Sequence, residues 1–200
     1  MIEIEKKFKL NPGDEDRLVA DAQFVSEVVQ SDAYWDTREF KLTCKDWWLR
    51  CRNGRWELKI ALHPVGPGVS RGVTQYRELE TEREIREAIG LAGDGAFEDD
   101  LTRAGYAPCA TIVTTRRKYR DGEFHIDLDS ADFGYALAEI ELMVDDEADK
   151  EAASERVLAY ARSRGLSLDS IRGKFVEYLH RERPKHFQAL VDAGVIWVID

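Results

Sequence analysis

Histidine, cysteine, basic charge and long apolar runs are all scarce in this chain. Four histidines, His63, His125, His180 and His186, lie far apart with no HExxH-type spacing. That argues against a zinc site, and surface positions are expected for most of them. Cys44, Cys51 and Cys109 are odd in number and fit no metal-type spacing. Reduced thiols in a cytoplasmic protein are the simplest expectation. No apolar run approaches the span of a bilayer, and the opening residues are too charged for a signal peptide. Basic residues number 29 against 39 acidic ones, a net charge of −10. The chain therefore lacks the broad basic field that a nucleic-acid or membrane-surface partner demands. A locally concentrated positive charge could still hold a small anion. Neither repeats nor a linker divide the 200 residues, so one domain over 1–200 with a real core is expected.

What the chain has in quantity is charge arranged strand by strand. Ile2 to Lys9 alternates, except that Lys6 sits on the apolar side. Successive strand side chains point to opposite faces, so Ile2, Ile4 and Phe8 share one face and Glu3, Glu5, Lys7 and Lys9 the other. An edge strand with a wet charged face would read the same way. The pattern recurs, however. Arg50 and Arg52 lie opposite Leu49 and Cys51. Glu57 and Lys59 lie opposite Trp56, Leu58 and Ile60. Arg116 shares a face with Lys118. Asp127 and Asp129 oppose Ile126 and Leu128, and Glu139 and Glu141 oppose Ile140 and Leu142. Like charges at that spacing repel, and wet faces ordinarily mix signs. Here acids gather on the strands near residues 3, 127 and 139 and bases on those near 50 and 116. A closed sheet that turns these faces inward explains the segregation, and about eight strands leave room for side chains plus one small ligand. Walls of both signs suit a polyphosphate and its divalent cation. Arginine forks match phosphate oxygens, and carboxylates match magnesium or manganese.

The remaining segments follow from turn and periodicity signals. Asn11-Pro12-Gly13-Asp14 ends the first strand and caps a short helix near 15–22. Phe24–Gln30 and Ala33–Thr37 read as two extended segments. Asn53-Gly54 joins Trp47–Arg52 to Arg55–Leu62 as a hairpin. Residues 63–73, rich in Gly and Pro, read as a loop that could close over the site, and Gln75–Leu79 as a short strand. Residues 81–105 read as two helical pieces broken at 91–95. A second hairpin joins Ala110–Tyr119 to Glu123–Ser130, and Tyr135–Val144 is a further strand. Helices are expected over Asp149–Arg164, along the apolar stripe of Ile171, Phe175, Tyr178 and Leu179, and over 185–193. Lys174 falls on that stripe, where it either snorkels or reaches the mouth of the barrel. Trp48 shares the face of Arg50 and Arg52 and is expected on the lumen side, with the adjacent Trp47 in the core.

Glu3-Ile4-Glu5-Lys6-Lys7 resembles the ExExK signature of the triphosphate tunnel metalloenzymes, the CYTH superfamily. Trp48-Leu49-Arg50-Cys51-Arg52, Trp56-Glu57-Leu58-Lys59, Tyr76-Arg77-Glu78-Leu79, Arg116, Asp127-Leu128-Asp129 and Glu139-Ile140-Glu141 follow in the family's order. Within it, Tyr34-Trp35-Asp36-Thr37, the stretch from Asp127 to Glu141, and Lys174 to Leu179 with Arg183-Pro184 are most similar to the animal-type thiamine triphosphatases. Trp35, where a second tyrosine is the pattern, and Cys51 between the arginines depart from it without removing charge.

The resemblance implies an α+β fold, an eight-stranded antiparallel barrel flanked by helices. It also implies an enzyme that hydrolyses the terminal phosphoanhydride of thiamine triphosphate with Mg2+, or Mn2+ in its place. Glu139, Glu141 and Asp127 match the metal-binding acids, and Glu3, Glu5 and Glu78 would hold a second metal or orient water. Lys7, Arg50, Arg52, Lys59, Arg116 and Lys174 match the triphosphate-binding bases, with Trp48 beside the substrate. Lys59 with Tyr34 matches the lysine–tyrosine pair that takes or steers the proton of the attacking water. Asp129 stands as an acid behind Asp127. A monomer is expected. The alternatives are an inorganic tripolyphosphatase, a class IV adenylate cyclase and a non-catalytic polyphosphate-binding module.

Overall fold

The computed structural model describes residues 2–62 and 73–196. Eight antiparallel strands close into a barrel in the order β1-β5-β4-β3-β2-β6-β7-β8. They are β1 (Ile2–Phe8), β2 (Gln23–Thr37), β3 (Trp47–Arg52), β4 (Arg55–Ala61), β5 (Thr74–Leu79), β6 (Tyr106–Asp121), β7 (Phe124–Ala131) and β8 (Tyr135–Val144). Closure turns one face of every strand inward and removes the sheet edges. The helices are α1 (Asp14–Val19), α2 (Glu82–Ile89), α3 (Phe97–Arg103), α4 (Lys150–Ser163), α5 (Lys174–Glu182) and α6 (Pro184–Asp192). No helix among the described residues is long and apolar enough to cross a membrane.

The hydrophobic core lies outside the barrel, because the outward faces carry the apolar half of each alternating strand. Ile4, Phe8, Ile126 and Ile140 pack under Ala153, Val157 and Ala161 of α4. Leu49, Trp56 and Leu58 pack under Ile85 of α2 and Phe97 and Leu101 of α3. Ile112 packs under Phe175 and Leu179 of α5 and Phe187 and Leu190 of α6. Each buried aliphatic or aromatic side chain contributes roughly 1.5–3 kcal/mol. The helices therefore hold the barrel from outside, and the lumen is left to polar chemistry.

Several boundaries differ from those expected. The two segments at 24–30 and 33–37 are one strand, β2. Asp32, in the middle, is fully buried and bonds Arg52 instead of making a turn. β6 begins at Tyr106 rather than Ala110. Pro108 is accommodated because the pairing slips by one residue between Tyr34–Ala110 and Trp35–Pro108. α1 is shorter than 15–22. α5 starts at Lys174, so Ile171 lies before the helix and Lys174 opens it. Gly173 has a packing reason: a Cβ there would stand 3.1 Å from Lys7 Cε. His186 is buried, not on the surface. It stacks on Phe40 at 3.9 Å and its Nε2 lies 2.7 Å from Thr43 Oγ1. The expected loop at 63–73 lies, except for Val73, outside the described residues.

Candidate active site

The lumen is a cavity of about 370 Å³, within the usual range for small-ligand pockets. Nine acidic and nine basic side chains line it among the described residues. Bases are therefore a larger share of the charged groups at this wall than in the chain as a whole, which carries −10. β1 supplies Glu3, Glu5 and Lys7; β2 supplies Tyr34; β3 supplies Trp48, Arg50 and Arg52. Lys59 comes from β4, Glu78 from β5, Arg116 from β6 and Asp127 from β7. Glu139 and Glu141 come from β8, and Lys174 from α5. The period-two pattern puts these groups inside, and strand register then decides which of them meet. Glu5 faces Glu141, Lys7 faces Glu139 and Asp127 faces Glu139 across their ladders.

The acids gather in two groups that share a member. Glu3, Glu5 and Glu141 offer oxygens within 4.8 Å of one another, as do Asp127, Glu139 and Glu141. Burial, with Glu5 and Glu78 adding and Lys59 opposing, pushes Glu3 up to about 7. Burial and then the Glu3 charge hold Glu141 well above the usual carboxylate range. Burial likewise raises Asp127, against the pull of Arg116. Glu139 goes the other way. Burial would raise it, but Lys174, Arg116, Lys7 and Lys59 outweigh that and hold it well below its ordinary value. Asp127 Oδ1 is buried and has no hydrogen-bond partner among the described residues, an arrangement that costs free energy. A cation would satisfy that oxygen and relieve the crowded acids. The donor set, all carboxylate oxygen, fits a hard divalent metal.

The bases are paired in the same lumen. Arg116 donates to Asp129 from Nε and Nη2 at 2.6 and 2.7 Å, to Glu139 at 2.5 Å, and also pairs with Asp127. Arg52 grips Asp32 with two bonds of 2.6 and 2.9 Å, and Arg50 holds Glu57 at 2.8 Å. Lys174 pairs with Asp129 and lies 3.6 Å from Glu139. Lys7 pairs with Glu5. Lys59 pairs with Glu3 and lies 3.1 Å from Glu78. Burial would lower its pKa, but Glu3, Glu5 and Glu78 raise it well above the ordinary lysine value. Like charge from Arg50 acts in the opposite sense and does not prevail.

Asp32 is the acid that sequence reasoning missed. Its period-two relation to Tyr34 was the available signal, hidden by reading Ser31-Asp32 as a break between strands. Tyr76 stands out in the sequence only as part of a motif, and its ring lies 5.7 Å from Lys59 Nζ. One end of the lumen is aromatic. Tyr34 stacks on Phe175 at 4.1 Å, and Trp48 meets Phe175 edge-on at 5.7 Å. Burial, with Asp32 adding and Arg50 opposing, raises the pKa of the Tyr34 phenol. Trp47 packs into the outer core beneath α2 and α3.

A closed antiparallel tunnel with carboxylate clusters facing arginine and lysine defines a class of proteins that handle triphosphates with a metal. The chain belongs to the CYTH family, whose domain matches residues 1–173. It is 33% identical over 212 residues to the thiamine-triphosphatases of Macaca fascicularis and Homo sapiens. The match spans 97% of this chain and 91% of each relative. Among solved structures, a Pyrococcus horikoshii protein superposes with a TM-score of 0.64 at 22% identity, covering 90% of this chain and 99% of its own. A Hippeastrum protein superposes with a TM-score of 0.60 at 18% identity, covering 92% and 98%. It was described as an adenylyl cyclase candidate with dominant triphosphatase activity. These two likenesses bear on the fold.

Proposed function

We propose that the protein hydrolyses thiamine triphosphate to thiamine diphosphate and phosphate, with Mg2+, or Mn2+ in its place. The observation that carries this substrate is the 33% identity along 97% of the chain to thiamine-triphosphatases. The aromatic end of the lumen supports it, because an inorganic triphosphate has no use for an indole.

Asp127, Glu139 and Glu141 are assigned to the metal, and Glu3, Glu5 and Glu78 to a second metal or to the water around the first. When bound, the metal neutralises charge on the departing diphosphate and the transferred phosphoryl group. Lys7, Arg50, Arg52, Lys59, Arg116 and Lys174 receive the triphosphate oxygens, and the guanidinium forks fix their orientation. Water attacks the γ-phosphorus in line. The bond from that phosphorus to the bridging oxygen breaks, and the oxygen leaves on thiamine diphosphate with the electron pair. Lys59, with Tyr34, takes or steers the proton of the water. In the resting lumen Lys59 is a cation, so it serves as a base at alkaline pH or when its carboxylate partners are engaged elsewhere. Lys174 lies beyond residue 173, so residues 1–200 act as one domain. A single copy of the chain, in the cytoplasm, carries every assigned group.

Steady-state rates on thiamine triphosphate, tripolyphosphate and ATP, each with Mg2+ and with Mn2+, test the reading. An indole face attracts a cation such as the thiazolium ring by about 0.5–2 kcal/mol. Trp48→Ala should therefore lower catalytic efficiency on thiamine triphosphate by roughly tenfold, and on tripolyphosphate far less. Equal losses on both would assign Trp48 to packing and favour an inorganic tripolyphosphatase. Cyclic AMP as the product from ATP would favour a cyclase.

A further inference from the structure

Trp48 is held from behind by two residues to which no role has so far been given. Its indole Nε1 donates to the Tyr76 hydroxyl at 3.2 Å, and that hydroxyl donates to Asp46 Oδ1 at 3.1 Å. A carboxylate only accepts. The phenol proton is therefore directed at Asp46, and a phenol lone pair accepts the indole N–H. Asp46 is fully buried, and its backbone is left-handed, with φ 61°. Aspartate tolerates that region better than most residues. Its N–H is tied to the Thr43 carbonyl at 3.0 Å, so the carboxylate is fixed just before β3 begins. Asp46, Trp48 and Tyr76 all line the lumen at its aromatic end.

We propose that Tyr76 and Asp46 are positioning residues that set substrate choice, holding the Trp48 indole for a triphosphate ester whose tail is a cationic heteroaromatic ring. The proposal rests on the thiamine triphosphate reading. Hydrogen bonds in series polarise one another, and here the series runs from the indole through the phenol to a carboxylate. Electron density is pushed toward the indole, which strengthens its attraction for a cation. A substrate with no ring gains nothing from this effect.

Tyr76→Phe removes the hydroxyl and keeps the ring beside Lys59. KM for thiamine triphosphate should rise about threefold to tenfold, the range expected for one hydrogen bond, with kcat nearly unchanged. Tripolyphosphate kinetics should not change, which also shows that the variant is folded. In a Trp48→Phe background the same substitution should add nothing, because the indole donor is gone. Asp46→Asn should shift KM in the same direction. Equal effects of Tyr76→Phe on both substrates would overturn the proposal, as would an additive effect in the Trp48→Phe background. Normal thiamine triphosphate kinetics in Tyr76→Phe would overturn the proposal alone. Failure of the parent enzyme to cleave thiamine triphosphate would remove the substrate reading itself, and this inference with it.

Discussion

Replacing Arg116 by methionine tests the lumen's electrostatics most directly. Methionine keeps much of the apolar stem and removes the guanidinium. In the parent, that group bonds Asp129 twice, Glu139 once and pairs with Asp127. Arg116 is 6% exposed and the three acids are 5% or less, so solvent does little to soften the loss. Breaking a buried ion pair from one side costs about 3–5 kcal/mol, because charge is left uncompensated. Lys174 stays beside Asp129 and Glu139, which favours the lower figure. For a chain of this length about 3 kcal/mol corresponds to a fall in Tm of roughly 6–12 °C. Melts followed by circular dichroism in EDTA measure it. Excess Mg2+ should return part of the loss, since a cation among Asp127 and Glu139 replaces the missing charge. Arg116→Met combined with Asp129→Asn should melt higher than the single variant, because one stranded charge has been removed. A single variant that melts within about 2 °C of the parent in EDTA would refute the reasoning. It would mean that Arg116 is not compensating three buried carboxylates.

Substituting Glu139 and Glu141 together by glutamine keeps size and removes charge, so metal-dependent turnover should collapse while the melting curve stays cooperative. Undiminished turnover would end their assignment to the metal. Arg52→Lys exchanges a fork for a point charge and should raise KM or lower kcat strongly; lost stability with normal kinetics would make Arg52 a structural partner of Asp32. His186 is pushed down to about 4 by burial, against the pull of Asp36. Its folded pKa is below the unfolded one, so its contribution to stability is complete above about 6.5 and is lost as pH falls toward about 4, at most about 3 kcal/mol. His186→Gln should flatten the pH dependence of Tm in that window, and parallel curves for parent and variant would contradict the assignment.

The barrel was legible because one period governs it. Alternation of charged and apolar residues marked the charged strands, and the pairing of like charges indicated an enclosed face. Legibility failed where a local signal met a tertiary partner. Ser31-Asp32 reads as a break until Arg52 is seen gripping Asp32. Pro108 reads as the end of a strand until the slipped register at Trp35 makes room for it. Ile171 has the spacing of a helical stripe but lies outside the helix that Lys174 opens. Which acid meets which base was not readable, because that depends on register around a closed sheet. His186 could not be placed from its neighbours in sequence, since its partners Phe40 and Thr43 are distant along the chain.

The pairing of acids with bases across the lumen has a consequence for what can enter. Before any ligand arrives, the wall is already an internal salt. An anion alone would draw the guanidiniums away from their carboxylates and strand buried negative charge. A cation alone would do the reverse to the arginines and lysines. Either ion by itself exchanges one unfavourable state for another, whereas the two together let every wall group trade its partner for a new one. Occupation by each therefore raises the affinity for the other, and by the reciprocity of linked equilibria the enhancement is the same in both directions. A metal and a triphosphate would therefore enter as a coupled pair, each supplying new partners for the wall groups that the other displaces.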